Sequence, residues 1–209
     1  MLTLYAVPVS LYCAKLRIVL RHKQLAFEEL LPPGGYGSPE YKALVPAGSL
    51  PALIHDGLLI SDSEAIAEYL NEAFPEPDML PGSPAERAKL RELSRFHDTR
   101  LEPAVRALFP HLSKAKRDDG FVESQWQILL QRLEQIEPLL PTAQGPLTLA
   151  DCGLPITGVW INLLAEQFAR DKPIGKPMAL YLSGLNDHAA VATELASYGK
   201  SLNTWQKSL

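Results

Sequence analysis

A serine, a tyrosine and a cysteine stand together where an extended segment gives way to a helical pattern. In the run VPVSLYCAKLRIVL, residues 7–20, Ser10 and Cys13 have the spacing of a redox C-x-x-C motif, but a serine replaces the first cysteine. A helix N-terminus presents free N–H groups and partial positive charge, which together stabilise anions and thiolates. Ser10 could therefore donate a hydrogen bond to a thiolate that a ligand supplies, or it could only cap the helix.

Two other side chains of this segment could do the thiol chemistry instead. Cys13 could be a thiolate that exchanges disulfides or reduces peroxides, or it could be a small buried apolar residue. Tyr5, at the end of the first predicted strand, could offer a phenol, or it could pack in the core. The residues alone leave these alternatives open.

A second cluster lies in GSLPAL, residues 48–53, and a third follows it at 62–63. Pro51 has no N–H to give a sheet, so it must open a strand or lie at an edge. If the Leu50–Pro51 bond is cis, Leu50 can pair its N–H and C=O with a peptide-like ligand; an ordinary trans proline has no such role. Asp62 and Ser63 could hold a ligand's ammonium and carboxylate at a helix start, or they could only cap that helix.

Periodicity predicts that these clusters are carried by a small α/β domain, followed by an all-helical domain. The predicted order is β-α-β and then β-β-α, with a type I′ turn at Asp56-Gly57 and a capping box from Ser61 to Glu64. The predicted ranges are strands at 2–6 and 26–30, a helix at 13–22, a loop at 31–41, a hairpin at 50–61 and a helix at 61–74.

A proline-rich stretch predicts the boundary between the two domains. We expect a first domain at 1–76, a linker at 77–84 and a helical domain at 85–209. Capping boxes at Ser83–Glu86 and Thr148–Asp151 predict two helix starts, and another helix should begin near Asp119. The helix after the linker should run past Leu101 with a kink at Pro103. Two shorter helices should end the chain.

Composition and charge exclude several classes of protein. The 209 residues are 46% hydrophobic and 21% charged, with a net charge of −4. Basic residues form no stripe, which argues against nucleic-acid binding, and no apolar run reaches the roughly 18 residues of a membrane span. Two cysteines are too few for a disulfide framework, so we expect a cytoplasmic protein. No His, Cys, Asp or Glu group has metal-ligand spacing.

Taken together and in this order, the motifs resemble the cytosolic glutathione S-transferase superfamily. Residues 2–74 are similar to its thioredoxin-like domain, and SLYCAKLRIVLRHKQLAFEE resembles its active-site segment. VPAGSLPALIHDGLLISDSEAIAEYL, residues 45–70, resembles its glutathione-binding core, and TLAD, residues 148–151, resembles a capping box of its helical domain. The likeness is to bacterial-like serine types, without assignment to a class.

The resemblance implies a role for each matching residue. Ser10 takes the position of the catalytic serine, Leu50 pairs its backbone with glutathione's cysteinyl part, and Pro51 is the cis-proline. Asp62 and Ser63 take the γ-glutamyl group. Ser49 stands where many relatives have a basic residue that contacts the glycyl carboxylate, and Leu11 stands where most serine types have proline.

The expected function is therefore a detoxifying glutathione transferase that dimerises and uses glutathione as co-substrate, without a metal. A small hydrophobic electrophile should bind between the domains, against Leu11, Tyr12 and the helix around 97–112. Candidate pocket residues on that helix are Arg100, Arg106, Phe109 and His111. The alternatives are thiol–disulfide exchange or peroxide reduction through Cys13, and a non-catalytic binding or assembly module.

Overall fold

The computed structural model describes residues 1–141 and 145–207 and shows a thioredoxin-like α/β unit followed by helices, as expected. The first unit contains four strands and the helices that pack on them. In chain order its elements are β1 (Leu2–Tyr5), α1 (Leu11–His22), β2 (Phe27–Leu30), α2 (Pro39–Leu44), β3 (Ala52–His55), β4 (Leu58–Ile60) and α3 (Ser63–Ala73).

The second part of the chain is helical throughout its regular elements. A π-helical stretch, His97–Leu101, joins its first two helices, and short 3₁₀ turns connect several others. The α-helices are α4 (Pro84–Phe96), α5 (Glu102–Arg106), α6 (Asp119–Ile136), α7 (Leu154–Gln167), α8 (Lys176–Leu185) and α9 (Ala189–Gln206).

The sheet has the strand order β2-β1-β3-β4. β1 and β2 are parallel and are joined through α1, which confirms the predicted crossover, while β3 pairs antiparallel with both β1 and β4. Between β3 and β4, Asp56 has φ 48° and Gly57 has φ 86°. Both values are left-handed, as a type I′ turn requires, so the predicted hairpin is confirmed.

Two local predictions in the first unit were wrong. The expected loop at 31–41 contains the start of α2, where Ser38 caps the helix by accepting the Tyr41 N–H. The expected capping box from Ser61 to Glu64 is absent, because Asp62 is the N-cap and its Oδ1 accepts from Glu64 N and Ala65 N. The Glu64 side chain instead turns inward to the buried Lys15 amine.

Two further predictions concerned the helical part. The helix after the linker continues past Leu101, as predicted, because the backbone stays helical from α4 through the π-helical stretch into α5. Pro103 lies in the first turn of α5, directly after that stretch. The last helix, by contrast, is not short: α9 has 18 residues, the same as α6. It passes through Gly199 while burying Val191, Tyr198 and Leu202.

One apolar core joins the two parts of the chain. Leu16 and Leu20 of α1 are fully buried in the same cluster as Trp160 and Leu164 of α7. The first helix is thus covered by the sheet on one side and by the helical part on the other. The segment that carries Ser10 is consequently held between the two parts.

The capping boxes at Ser83–Glu86 and Thr148–Asp151 differ in burial, so they test how much burial adds to the stability that a capping box provides. Asp151 closes its box by accepting from Thr148 N at 2.7 Å and also accepts the buried Tyr181 hydroxyl, whereas Glu86 closes its box on Ser83 at the surface. Asp151→Ala should lower the free energy of unfolding by about 3 kcal/mol, because buried donors lose their acceptor. Glu86→Ala should cost much less, because water can replace the lost acceptor at the surface. Urea unfolding measures both; equal losses would contradict the role assigned to burial.

Candidate active site

Two adjoining cavities lie beside the N-terminus of α1. The apolar cavity, of about 220 Å³, is lined by Val7, Val9, Ser10, Leu11, Tyr12, Tyr36, Leu50, Arg106 and Phe109. The polar cavity, of about 390 Å³, is lined by Tyr12, Tyr36, Ser49, Leu50, Pro51, Ser61, Asp62, Ser63, Arg95, Asp98, Thr99 and Arg106. The two cavities have Tyr12, Tyr36, Leu50 and Arg106 in common, so they form one continuous cleft.

Ser10 is the N-cap of α1 and borders the apolar cavity. Its Oγ accepts a hydrogen bond from the Cys13 N–H at 3.3 Å, so the capping role considered from the sequence is real. Accepting that bond leaves the hydroxyl proton available for donation. Capping and donation to a ligand are therefore compatible functions of the same oxygen.

The other candidates for the thiol chemistry are less accessible. Cys13 is 0% exposed, and burial raises the pKa of its thiol above the usual value. A reactive cysteine needs an accessible thiolate of low pKa, which this environment disfavours. Tyr5 packs edge to face on Tyr41 with ring centroids 5.7 Å apart, and it lines neither cavity.

The Leu50–Pro51 peptide is cis and lies between the two cavities. Among the described residues, no hydrogen bond engages the N–H or the C=O of Leu50. Next to it, Ser49 is fixed on both sides: its carbonyl accepts the Tyr41 hydroxyl at 2.8 Å and its hydroxyl donates to Ser61 O at 3.0 Å. Ser49 is neutral, so it supplies no charge for a ligand carboxylate.

The start of α3 forms the far wall of the polar cavity. Asp62 is exposed and caps the helix through Oδ1 alone, while Oδ2 has no hydrogen bond within the ranges that the structure covers. Ser63 is the first residue of the helix and is 8% exposed. One carboxylate, one hydroxyl and the positive end of a helix thus converge on this wall, an arrangement that suits a zwitterionic ligand group.

Tyr12 and Arg106 stand at the junction of the cavities. The Tyr12 hydroxyl donates to Glu102 Oε2 at 2.8 Å and to Asp98 O at 3.0 Å. Burial and the nearby Glu102 carboxylate raise the pKa of Tyr12, so its hydroxyl stays protonated. Arg106 donates from Nε to Glu102 Oε1 at 2.9 Å and lies 5.0 Å from the Tyr12 ring centre. The Tyr12 hydroxyl proton is therefore already used in hydrogen bonds to the helical part of the chain.

Two of the residues predicted to line the pocket lie elsewhere. Arg100 is exposed and lines neither cavity, because the π-helical stretch widens the turn that carries it. His111 stacks on Phe121 at 4.7 Å and accepts the Asp118 N–H, so its ring is used outside the cleft. Leu11, Tyr12, Arg106 and Phe109 do line the cleft.

Several lining residues were missed in the sequence. Arg95, Asp98 and Thr99 border the polar cavity, and their spacing of three and four residues could have indicated one helix face. Val7 and Val9 border the apolar cavity from the segment before Ser10. Tyr36 comes from the glycine-rich stretch after β2, and no periodic signal points to it.

A buried ion cluster connects the walls of this cleft. Lys15 of α1 is 1% exposed and donates to Asp98 Oδ2 at 2.8 Å and to Glu64 Oε2. His97 contacts Asp98 Oδ1 at 2.8 Å and Thr157 at 2.7 Å. The cluster thus joins α1, α3, the π-helical stretch and α7 in one network.

Metal-binding clusters and membrane-spanning helices are both absent from residues 1–141 and 145–207. No group of three or more His, Cys, Asp and Glu side chains there could hold a metal ion. No helix in the same ranges is long and apolar enough to cross a membrane.

The comparison with protein families identifies the fold. Residues 4–78 match the family model described as glutathione S-transferase, N-terminal domain. The chain belongs to the cytosolic glutathione S-transferase superfamily. The resemblance inferred from the sequence motifs is thereby confirmed, and the superfamily's two-part architecture accounts for the sheet and the helical part described above.

Individual relatives show how broad this superfamily is. The chain is 33% identical over 134 residues to a stringent starvation protein A homologue of Histophilus somni, covering 64% of this chain and 58% of that protein. It is 29% identical over 144 residues to maleylacetoacetate isomerase of Dictyostelium discoideum, covering 66% of each. The chain thus matches less than two thirds of either relative's length.

Structural comparison extends the match over nearly the whole chain. Glutathione transferase URE2P6 from Phanerochaete chrysosporium, solved in complex with oxidized glutathione, has a TM-score of 0.79 at 23% identity, covering 95% of this chain and 96% of that one. At this identity the similarity establishes the fold. The helical part, which the family model does not reach, therefore has the same fold as the corresponding part of that structure.

The ion cluster predicts acid sensitivity. Burial alone would raise the pKa of Asp98, but the His97 hydrogen bond and the Lys15 charge lower it to about 2. The pKa of Asp98 in the folded chain lies below its unfolded value of about 3.9, so the ionised carboxylate stabilises the fold above about pH 4. This stabilisation is on the order of 2 kcal/mol, and it is lost as the pH falls toward 2. Asp98→Asn should therefore flatten the dependence of unfolding free energy on pH between about 4 and 2.

Urea unfolding at a series of pH values measures this slope. Glu123→Gln, in an exposed pair with Arg170, is the control and should leave the slope near that of the wild type, since solvent screens such pairs. An unchanged slope in Asp98→Asn would show that other carboxylates cause the acid sensitivity.

Proposed function

We propose that the chain binds glutathione in the polar cavity and activates its thiol at Ser10 for attack on a small hydrophobic electrophile in the apolar cavity. The observation that carries the proposal is the continuity of the two cavities at Leu50, with Ser10 on the apolar side of that junction. A peptide paired with Leu50 would have its cysteinyl side chain within reach of Ser10, while the electrophile approaches from the apolar side.

The chemistry of the polar cavity supports a small peptide as the ligand. The unused N–H and C=O of Leu50 can pair with a peptide backbone as an added strand. Asp62 and Ser63 can hold the α-ammonium and α-carboxylate of a γ-glutamyl group. Arg95, which was not expected, offers a charge to the glycyl carboxylate where Ser49 offers none.

Ser10 would act on the bound thiol as a hydrogen-bond donor. Its hydroxyl cannot remove the thiol proton at neutral pH, but it stabilises the thiolate together with the positive end of α1. A donor fixed in advance lowers the barrier without reorganising during the reaction. The Ser10 bond to the Cys13 N–H supplies that fixation.

The apolar cavity supports an electrophile with an apolar body, which Val7, Val9, Leu11 and Phe109 can cover. Arg106 at the junction favours a carboxylate on the same molecule. Because one relative is named maleylacetoacetate isomerase, a panel of substrates should include maleylacetoacetate beside aryl halides, isothiocyanates and hydroperoxides. Turnover of maleylacetoacetate without consumption of glutathione would identify the reaction as an isomerisation.

A non-catalytic assembly module is the second candidate, because the stringent starvation protein A homologue to which the chain is similar is not named for an enzymatic activity. Calorimetric titration with glutathione separates the candidates, because an assembly module has no need of glutathione affinity. For either candidate we propose a homodimer, which sedimentation analysis tests.

The third reading, exchange through Cys13, is disfavoured because an attacking thiolate must be accessible and Cys13 is fully buried.

Replacing Ser10 should separate catalysis from binding. Ser10→Ala should lower kcat about 10²-fold, the usual effect of removing one preorganised donor, while the Kd for glutathione changes less than about twofold. Cys13→Ala and Tyr5→Phe should keep kcat near the wild-type value. Steady-state kinetics and calorimetry measure these effects. Full activity in Ser10→Ala, with loss in Tyr5→Phe or Cys13→Ala, would assign the thiol to a different side chain.

Replacing Asp62 by asparagine should test the charge without removing the cap. The amide oxygen of the new side chain would still accept from the α3 N–H groups, so stability should stay close to that of the wild type. The Kd for glutathione should rise about tenfold, because the ammonium loses its charged partner. Asp118→Asn is the matched control, since Asp118 caps α6 outside the cleft. Equal Kd values in Asp62→Asn and the control would remove Asp62 from the glutathione site.

A further inference from the structure

The segment before Ser10 is held by hydrogen bonds to its carbonyl groups. Val9 O accepts the Tyr198 hydroxyl at 2.7 Å, and Val7 O accepts from Arg17 Nη2 at 3.0 Å. These two carbonyls belong to the turn that runs from Val7 to Ser10, and both valines line the apolar cavity. The direction in which Ser10 presents its hydroxyl therefore depends on Arg17 of α1 and on Tyr198, which lies outside the α/β unit.

Both anchors lead to the C-terminal helix. Tyr198 belongs to α9 and is 1% exposed. Arg17 is held by Glu194, also of α9, through Nη1 and Oε1 at 3.3 Å, and by Glu29 of β2 at 2.7 Å. One helix thus reaches the segment directly at Val9 and indirectly at Val7.

The Tyr198 hydroxyl is itself oriented by a second buried residue. Trp160 Nε1 donates to the Tyr198 oxygen at 2.6 Å, which directs the tyrosine proton toward Val9 O. The Trp160 ring also packs on Phe109 with centroids 4.1 Å apart, and Phe109 lines the apolar cavity as Val9 does. The Trp160–Tyr198 pair therefore contacts two residues of the cavity that would hold the electrophile.

We propose that Tyr198 is a positioning residue, which fixes the Val9 carbonyl from the C-terminal helix and thereby aims the Ser10 hydroxyl at the bound thiol. The proposal rests on the function proposed above. Tyr198 contacts neither reacting atom; it acts through the backbone of Val9 and Ser10. Binding of glutathione in the polar cavity does not involve Tyr198, so the effect should fall on activation of the thiol and not on affinity.

The test compares Tyr198→Phe with Tyr181→Phe. Tyr181 is also buried and also donates its hydroxyl inside the helical part, to Asp151, but it does not contact the segment before Ser10. Phenylalanine keeps the ring in both variants, and thermal unfolding reports their stability. Tyr198→Phe should lower kcat about tenfold and shift the pH profile of kcat/KM to higher pH, because the thiolate loses stabilisation, while KM for glutathione stays within about twofold. Tyr181→Phe should lower stability without shifting the pH profile.

A double-mutant cycle identifies the route of the effect. If Tyr198 acts through Ser10, then Ser10→Ala combined with Tyr198→Phe should be no slower than Ser10→Ala alone. Additive losses, or a pH profile in Tyr198→Phe equal to that of the wild type, would overturn the positioning role while leaving the proposed function in place. An unaffected Ser10→Ala, or no glutathione binding by the wild type, would overturn the proposed function and the positioning role together.

Discussion

Lys15 carries a charge into the interior between the two parts of the chain, and the cleft depends on how that charge is neutralised. Its partners Glu64 and Asp98 belong to α3 and to the π-helical stretch, which form two walls of the polar cavity. An unpaired buried cation would cost several kcal/mol, so these elements must meet whenever the chain is folded. The neighbours of the two carboxylates, Ser63 and Thr99, are brought to the same cavity by that requirement.

The predictable part of the fold is the part that local rules govern. The strand order, the helices other than α2, the Asp56-Gly57 turn and two of the three predicted capping boxes followed from spacing and residue type. The errors arose where tertiary contacts outweighed local preference. Glu64 fits a capping box with Ser61, but the buried charge of Lys15 draws its carboxylate inward. The domain limits at 76 and 85 remain predictions, because a shared core crosses them.

The candidate site was predictable to the extent that its residues are neighbours in sequence. Asp62 and Ser63 follow directly from a helix start, and Leu50 and Pro51 from a strand entry; all four border one cavity. Arg100 was misplaced because it lies in a π-helical stretch, where the α-helical period does not hold. His111 was misplaced because it lies in a 3₁₀ turn, where its ring stacks on Phe121. The contact of Tyr198 with Val9 could not be predicted from local sequence patterns, since 189 positions separate the two residues.

Both cysteines are fully buried, which protects the protein's own thiols from oxidation. Cys13 and Cys152 are each 0% exposed, so the folded chain offers no cysteine sulfur of its own to an oxidant in the surrounding medium. In the proposed reaction the reactive sulfur belongs to glutathione, a molecule that leaves and is replaced after each turnover. The serine hydroxyl does not undergo the stepwise oxidation to sulfenic, sulfinic and sulfonic acids that inactivates catalytic cysteines. A peroxide would then oxidise the thiol of glutathione, which is replaced at the next turnover, and not a catalytic side chain of the protein.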